Sequence, residues 1–276
     1  MFLLSSVFKN NVCFLLCRDL SWNLLSGPVP DELGNISTLV FLSLSANRLS
    51  GLLPKRLGDL GNLQFLWLFD NEFVGGLPSS FAELKNLKYL LIGGNNFTGP
   101  IPEFIGNWKH LEYLSLIGNN FKGPIPNTFS LSNLSNLHIN DLTGSSRGGH
   151  GFSFPNLSRM TSLEYLTLRN CSISGPIPGY IGRFKNLKYL DLSFNHLTGE
   201  IPDFSNAQQL RNIASLESSS HIIQSDVEFL DGDDFDLAAE AEARSADFAD
   251  ALNDYNLVTD GPHMMNLKIL GSLMKP

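Results

Sequence analysis

A repeat of 24 residues runs through most of this chain of 276 residues and limits its possible folds more than any other feature. Leucines open successive units, an asparagine follows eight residues later, and a glycine stands four residues after that. In the four clearest units these positions are Leu39, Leu63, Leu87 and Leu111, then Asn47, Asn71, Asn95 and Asn119, then Gly51, Gly75, Gly99 and Gly123. A unit this short cannot bury its own apolar face, so the repeat predicts a stack of units with one continuous core.

Each unit begins with the pattern L-x-x-L-x-L, which is typical of a short strand. In the unit that opens at Leu63, alternation predicts that Leu66 and Leu68 point inward. The same alternation predicts three outward aromatic side chains, Phe65, Trp67 and Phe69. The glycine and the proline three residues after it favour a tight, stiff return segment on the opposite side of the unit.

The repeated asparagine is predicted to be structural. Its side-chain amide both donates and accepts, so it can satisfy backbone groups that the turns would otherwise bury unpaired. Stacked units then predict a ladder at Asn23, Asn47, Asn71, Asn95, Asn119, Cys171 and Asn195. In that series Cys171 is a small residue that fits the same buried slot.

One unit, residues 134–162, is irregular, because Gly123 and Gly175 are 52 residues apart, two periods plus four. One strand register is set by Leu134, Leu137 and Ile139. A second register, two residues out of step, fits Asn140, Leu142 and Gly144, which imitate the ladder asparagine, leucine and glycine of the last unit. We expect the strand register to hold at the expense of the other. Residues 145–154, rich in Gly and Ser, are then predicted to loop out, either to bind a partner or as an inert bulge.

These patterns predict an α/β-type repeat solenoid, an arc with short parallel strands on its concave face and irregular or 3-10 segments on its convex face. Residues 20–203 form the array, of about eight units. Residues 1–19 are a weak signal-like or truncated segment. Residues 204–276 are an acidic, partly helical or disordered tail, with a short amphipathic helix expected over residues 233–256.

Charge argues against nucleic acid as a partner. Residues 20–203 hold 13 basic and 13 acidic side chains, while residues 204–276 hold 4 and 13. A neutral body and a negative tail offer no basic surface for a phosphate backbone. No stretch approaches the roughly 20 apolar residues of a membrane-spanning helix.

The full repeat, L-x-x-L-x-L-x-x-N-x-L-x-G-x-I-P-x-x-L-G-x-L, resembles the plant-specific class of leucine-rich repeats over about residues 15 to 203. Residues 142–144, 154–157 and 168–178 resemble more closely plant receptor-like serine/threonine kinases that place a malectin-like domain after the repeats. This resemblance implies an extracellular array, then malectin-like, membrane-spanning and cytoplasmic kinase segments. Only the array is present in this sequence.

Catalytic and metal-binding motifs are not found. A kinase needs a phosphate-covering glycine loop, a strand lysine, a catalytic-loop Asp and a D-F-G motif, and the sequence does not contain these in order. Asp231, Asp233 and Glu242 resemble a calcium loop, but Phe235 and Asp236 stand where an oxygen ligand and a glycine are needed. We therefore expect no catalytic site, no metal and no cofactor.

Five N-x-S/T sequons favour the secretory route. They begin at Asn35, Asn96, Asn133, Asn156 and Asn170. A chain rich in Asn, Ser and Thr also makes sequons by chance, and both interpretations stay open. If a signal is supplied, the expected location is extracellular or at the outer face of the plasma membrane.

The outward strand positions predict a binding surface on the concave face. The third position of each unit is mostly aromatic, and its neighbours add apolar and charged groups. The predicted ligand-binding residues are Phe41, Phe65, Trp67, Phe69, Tyr89, Tyr113, Ile117, His138, Tyr165, Arg169, Tyr189 and Asp191. Such a surface suits a peptide, carbohydrate or protein ligand and a co-receptor. Alternatively, the third-position rings only cover the strand leucines.

Three functions fit this sequence. The first is non-catalytic recognition of a ligand or co-receptor by the ectodomain fragment of a plant receptor-like kinase. The second is a stand-alone secreted inhibitor or decoy, although the paired cysteines expected at both ends of such a protein are not evident among its three cysteines. The third is a degenerate, truncated gene product.

Overall fold

The computed structural model describes residues 2–3, 16–131, 133–144 and 151–214. All of these lie within the first of two compact units, which spans residues 1–232. The predicted tail helix, the calcium-like loop and most of the segment predicted as signal-like lie outside the described residues.

A parallel sheet of nine strands forms one side of this unit. The paired strands hold equivalent repeat positions side by side, as in the register Leu42, Leu66, Leu90. In spatial order the strands are Cys17–Asp19, Phe41–Ser43, Phe65–Trp67, Tyr89–Leu91, Tyr113–Ser115, Asn136–Asn140, Tyr165–Arg169, Tyr189–Asp191 and Asn212–Ala214. This is the sheet predicted to line the concave face.

Further parallel strands, most of them just after the ladder position, form two more sheets. The six-stranded sheet contains Phe2–Leu3, Leu25–Gly27, Arg48–Gly51, Glu72–Gly75, Asn96–Pro100 and Asn120–Lys122. The three-stranded sheet contains Phe152–Ser153, Ile173–Pro176 and His196–Thr198. The return segments hold 3-10 helices at Asp31–Asn35, Lys55–Asp59, Ser79–Glu83, Glu103–Asn107, Asn127–Leu131 and Ile181–Arg183. The described residues contain no α-helix, and the predicted solenoid with 3-10 return segments is confirmed.

The repeated proline sets the start of the return helix. Pro54 directly precedes the helix Lys55–Asp59, and the Leu57 amide donates to the Pro54 carbonyl at 3.1 Å. Proline fixes φ near the value such a turn needs and has no N–H to leave unpaired. The same arrangement precedes the helices that begin at Asp31, Ser79 and Glu103.

The core between the sheets and return segments is a continuous apolar stack. Leu66, Leu68 and their equivalents in other units are fully buried, as predicted. A column of phenylalanines two residues after the ladder asparagine was not predicted. Phe73, Phe97 and Phe121 stack with ring centroids 6.1 and 6.2 Å apart. Each unit therefore buries its apolar surface against the next one.

The asparagine ladder connects neighbouring units through backbone groups. The Asn95 side chain donates to the carbonyls of Leu68, Ile92 and Gly93 at 3.0–3.1 Å. Its Oδ1 accepts the amide of Phe73 at 3.1 Å. Asn47, Asn71, Asn119 and Asn195 repeat this pattern. Asn23 donates within its own turn, to Leu20 and Ser21. The Cys171 thiol contacts the carbonyls of Ile139 and Arg169 at 3.5 and 3.3 Å.

The irregular unit keeps the register that the strand leucines predicted. Leu137 and Ile139 are fully buried in the strand Asn136–Asn140, and Leu142 is buried as well. Asp141 has a φ of 55°, as Asp70 does one residue before its ladder asparagine, so Leu142 occupies the ladder position. Asn140, the ladder residue of the alternative register, instead accepts the Gly118 amide at 2.8 Å through its Oδ1, so the strand register holds at the expense of the other, as expected.

The segment predicted to loop out of the array, residues 145–154, is shorter than expected. Residues 145–150 lie outside the described part of the chain, but Phe152–Ser153 is a strand paired with Ile173 and Ser174. Phe154 is half-buried against the core. The array also passes both predicted limits, since Cys17–Asp19 and Asn212–Ala214 are the outer strands of the nine-stranded sheet.

Tyr180 fixes the return segment of the irregular unit. Its hydroxyl donates to the Pro155 carbonyl at 2.6 Å and accepts the Leu157 amide at 3.1 Å. Burial raises the pKa of this phenol, so it stays protonated as a donor at neutral pH.

We expect Tyr180→Phe to lower the free energy of unfolding by about 1–2 kcal/mol, because it leaves two backbone groups without their partner. Urea unfolding of the full chain, followed by far-UV circular dichroism, measures this. Tyr165→Phe is the matched control and should change stability by less than about 0.5 kcal/mol. Equal losses in the two variants would mean that the Tyr180 hydroxyl does not fix this segment.

Candidate functional site

The third-position rings form a stacked column on the outer face of the nine-stranded sheet. Strands about 4.8 Å apart place equal side chains next to each other, which favours ring stacking. Ring centroids are 5.0 Å apart for Phe65 and Tyr89 and 5.9 Å apart for Tyr89 and Tyr113. Farther along, Tyr165 and Tyr189 stack at 6.5 Å. The column is therefore continuous in its first part and resumes after the irregular unit.

The prediction that this whole column is exposed was wrong. Seven of the twelve predicted binding residues are buried in the chain: Phe41, Phe65, Phe69, Tyr89, Tyr113, His138 and Asp191, with exposed fractions of 0–7%. Stacking on the next unit removes surface from each ring, and the T-shaped contact of Phe41 with Trp67 at 4.9 Å removes more. Outward direction along a strand does not ensure exposure when every neighbour is large.

Five of the predicted residues stay half-buried and present surface: Trp67, Ile117, Tyr165, Arg169 and Tyr189. Of Trp67 and Phe69, both predicted to point outward, only Trp67 presents surface, because Phe69 is buried. Three of the five lie in the last units of the array, in the strands Tyr165–Arg169 and Tyr189–Asp191. Most of the accessible predicted residues therefore lie in this half of the sheet.

Three polar residues of the predicted binding surface, Asp191, His138 and Arg169, contact other groups of the protein. The Asp191 carboxylate accepts the amide and hydroxyl of Ser193 at 2.9 and 2.6 Å, which closes the turn after its strand. His138 Nδ1 lies 3.1 Å from the Thr167 hydroxyl. The Arg169 guanidinium lies 4.7 Å from the centroid of the exposed Phe194 ring, a cation–π arrangement.

A recess of about 360 Å³ lies beside the second part of the column. Tyr165, Lys188, Tyr189, Gln209 and Arg211 line it. Backbone bonds fix the spacing of its rim, since the Lys188 amide donates to the Glu164 carbonyl at 2.7 Å and the Arg211 amide donates to the Lys188 carbonyl at 3.0 Å. Two tyrosines and two cationic residues thus line one opening.

Three of these five residues, Lys188, Gln209 and Arg211, were not predicted from the sequence. Lys188 and Arg211 stand at the second position of their units, directly before a strand, where earlier units place Lys88 and Glu112. The charged residues that recur at this second position could have predicted these members of the site from the sequence. The Lys188 ammonium pairs with Glu164 at 2.7 Å, and both groups keep more than a third of their side-chain surface exposed, so the pair adds little stability.

The two described cysteines are not reactive thiols. Burial raises the pKa of Cys17 to about 12 and also raises that of Cys171. Both are therefore protonated at neutral pH and poor nucleophiles. In the described ranges no group of His, Cys, Asp and Glu could hold a metal ion, and no helix there is long and apolar enough to span a membrane.

The fold and the ladder define a leucine-rich-repeat array. The family model described as Leucine Rich Repeat matches residues 38–60, 62–84, 86–108, 110–132, 162–184 and 186–206. The irregular unit lies in the gap between the fourth and fifth matches. Relatives of the chain are plant leucine-rich-repeat receptor-like kinases.

One such relative is a "probable LRR receptor-like serine/threonine-protein kinase" of Arabidopsis thaliana, 52% identical over 63 residues. The match covers 23% of this chain and only 6% of that protein. The malectin-containing subfamily stays a prediction.

Two solved structures of Arabidopsis receptor ectodomains are similar to the array. One is the ectodomain of the membrane receptor kinase GASSHO1/SCHENGEN3 in complex with CASPARIAN STRIP INTEGRITY FACTOR 2, with 35% identity and a TM-score of 0.67 over 72% of this chain and 24% of that one. The other is the receptor kinase HAESA in complex with the peptide hormone IDA and the co-receptor SERK1, with 34% identity and a TM-score of 0.63 over 72% of this chain and 34% of that one. The array thus spans about a quarter to a third of these ectodomains.

Proposed function

We propose that this chain is the ligand-recognition part of a receptor ectodomain that faces the cell exterior and has no catalytic role of its own. Its ligand is a peptide that lies across the outer face of the nine-stranded sheet, with its main contacts in the last units. Support comes from the likeness to two receptor kinases, one solved in complex with CASPARIAN STRIP INTEGRITY FACTOR 2 and the other with the peptide hormone IDA and the co-receptor SERK1.

The observation that carries this proposal is the recess beside Tyr165 and Tyr189. Aromatic rings supply contact area at little conformational cost, and they are enriched among the residues that dominate binding energy. Recesses that combine apolar faces with a few polar groups are the usual form of a binding site.

The charges of the recess indicate which part of a peptide it receives. Lys188 is paired with Glu164, and among the described residues that line the recess there is no carboxylate to oppose Arg211. A guanidinium binds a carboxylate through two parallel hydrogen bonds. We expect an acidic side chain or a terminal carboxylate of the peptide to lie against Arg211.

Binding is tested with the full chain immobilised on a biosensor. The probes are the IDA and CASPARIAN STRIP INTEGRITY FACTOR 2 peptides and then short peptides selected from a random phage-displayed library. For any peptide bound, Tyr189→Ala and Arg211→Ala should each raise Kd at least about ten-fold, a loss of about 1.4 kcal/mol. Lys185→Ala, which removes an exposed cation outside the recess, should leave Kd unchanged.

A selection that returns no peptide, or peptides whose Kd responds equally to Arg211→Ala and Lys185→Ala, would contradict the proposal. The first result would favour a stand-alone or degenerate product. The second would move the binding surface away from the last units.

A further inference from the structure

Three charged side chains at the same repeat position stand in a row at the recess. Glu164, Lys188 and Arg211 occupy the second position of three successive units. The Lys188 amide donates to the Glu164 carbonyl at 2.7 Å, and the Arg211 amide donates to the Lys188 carbonyl at 3.0 Å. Because neighbouring strands lie about 4.8 Å apart, Lys188 lies between the other two residues. The order of charges along the row is therefore negative, positive, positive.

The Glu164 carboxylate already binds the middle cation. Lys188 Nζ donates to Glu164 Oε2 at 2.7 Å. The Lys188 and Glu164 side chains are 40% and 35% exposed, so this contact does little to hold the fold together. Its larger effect is on the charge that the recess offers to a ligand. Lys188 is neutralised by its partner, and Arg211 supplies the net positive charge of the row.

A ligand with two neighbouring carboxylates meets repulsion in this row. A carboxylate that binds Lys188 comes to lie beside Glu164, and two like charges about 4 Å apart weaken binding about five-fold even at the dielectric constant of water. Arg211 is one strand farther from Glu164, so a single carboxylate can bind there without this penalty. Like charges placed next to each other are a common way to reject the wrong partner.

We infer that Glu164 is a specificity-determining residue of the recess, which it restricts to ligands with a single carboxylate at that point. The inference rests on the proposed peptide recognition and adds the charge of the ligand to it. A peptide that presents one acidic side chain or its terminal carboxylate to the recess fits. A peptide that presents an adjacent pair of acidic groups does not.

Small carboxylates test this inference on the full chain, because they enter the recess without a peptide. Acetate carries one carboxylate, and succinate carries two. Each is titrated at constant ionic strength and neutral pH, and the arginine Nε–H signals are followed by heteronuclear NMR. The Arg211 signal is identified by its loss in Arg211→Ala.

Acetate and succinate should bind the native chain with similar Kd. Glu164→Gln should lower the Kd of succinate at least about five-fold, because it releases Lys188 and removes the repulsion, and should leave the Kd of acetate nearly unchanged. Glu112→Gln is the matched control. Glu112 is half-buried at the same repeat position two units earlier, so this variant should change neither Kd.

The inference is overturned if the native chain binds succinate several-fold more tightly than acetate, or if Glu164→Gln leaves the Kd of succinate unchanged. The same gain in Glu112→Gln, or an Arg211 signal that responds to neither anion, would also overturn it. No peptide takes part in this measurement. If the anions behave as expected but the biosensor finds no peptide, the proposed peptide recognition fails and the charge selectivity of the recess stands.

Discussion

Asn119→Ala is expected to destabilise the array by about 3–5 kcal/mol, although it removes only an amide group. Asn119 donates to the carbonyls of Ile92, Leu116 and Ile117 at 3.0–3.2 Å and accepts the Phe97 amide at 3.0 Å. Alanine would leave these four backbone groups without that partner in a buried layer that connects two units. Buried backbone groups that lose their partner cost far more than the net value of a single hydrogen bond.

The neighbouring Asn120 provides the control for this prediction. It is exposed at the start of the strand Asn120–Lys122, so Asn120→Ala should shift stability by less than about 0.5 kcal/mol. The two variants are compared in urea titrations of the full chain followed by far-UV circular dichroism. Indistinguishable midpoints would show that the ladder does not hold the units together.

Gly58→Ala is expected to cost about 3 kcal/mol, because the added methyl group has no room. A Cβ at Gly58 would lie 2.4 Å from the Ser80 carbonyl oxygen, which belongs to the backbone of the next unit. Backbone atoms cannot rotate away as the end of a side chain does, so the two return segments must separate. The equivalent glycines Gly34, Gly106 and Gly182 meet the next backbone in the same way, at 2.1–2.2 Å.

Gly61, three residues later, is the matched comparison. Nothing lies within 4 Å of a Cβ built there, and its φ is not positive, so Gly61→Ala should be neutral or stabilise by about 0.4–1 kcal/mol. Thermal unfolding of both variants measures the difference. If Gly58→Ala unfolds at the temperature of Gly61→Ala, the close approach of the return segments is not a constraint.

The repeat predicted the structural features that depend only on contacts within one unit or between two equivalent units. The burial of Leu66 and Leu68 and the position of Asn71 follow from a short strand and a fixed period. Exposure did not follow, since Phe65 points away from the core and is nevertheless 3% exposed. The exposed fraction of a side chain depends on the size of its neighbours in several units. Alternation along a single strand carries no information about those neighbours.

The candidate site was predicted only in part for a related reason. Tyr165 and Tyr189 were found from their repeat position, but Lys188 and Arg211 became part of the site only when adjacent strands placed them around one recess. In the irregular unit the strand leucines predicted the register, but Gly144 follows the ladder position by two residues instead of four, which the period did not predict. A period counted in residues does not specify how a turn is closed.

The asparagine ladder is interrupted at two successive positions, where Leu142 and Cys171 stand between Asn119 and Asn195. In a linear array each unit is coupled only to its neighbours, so stiffness is a local property of each junction. The junctions at Leu142 and Cys171 lack the amide that clamps the others. The strands Asn136–Asn140 and Tyr165–Arg169 pair there over five residues, whereas the other neighbours in the nine-stranded sheet pair over three. Longer backbone pairing thus takes over the cohesion that the ladder amide gives elsewhere.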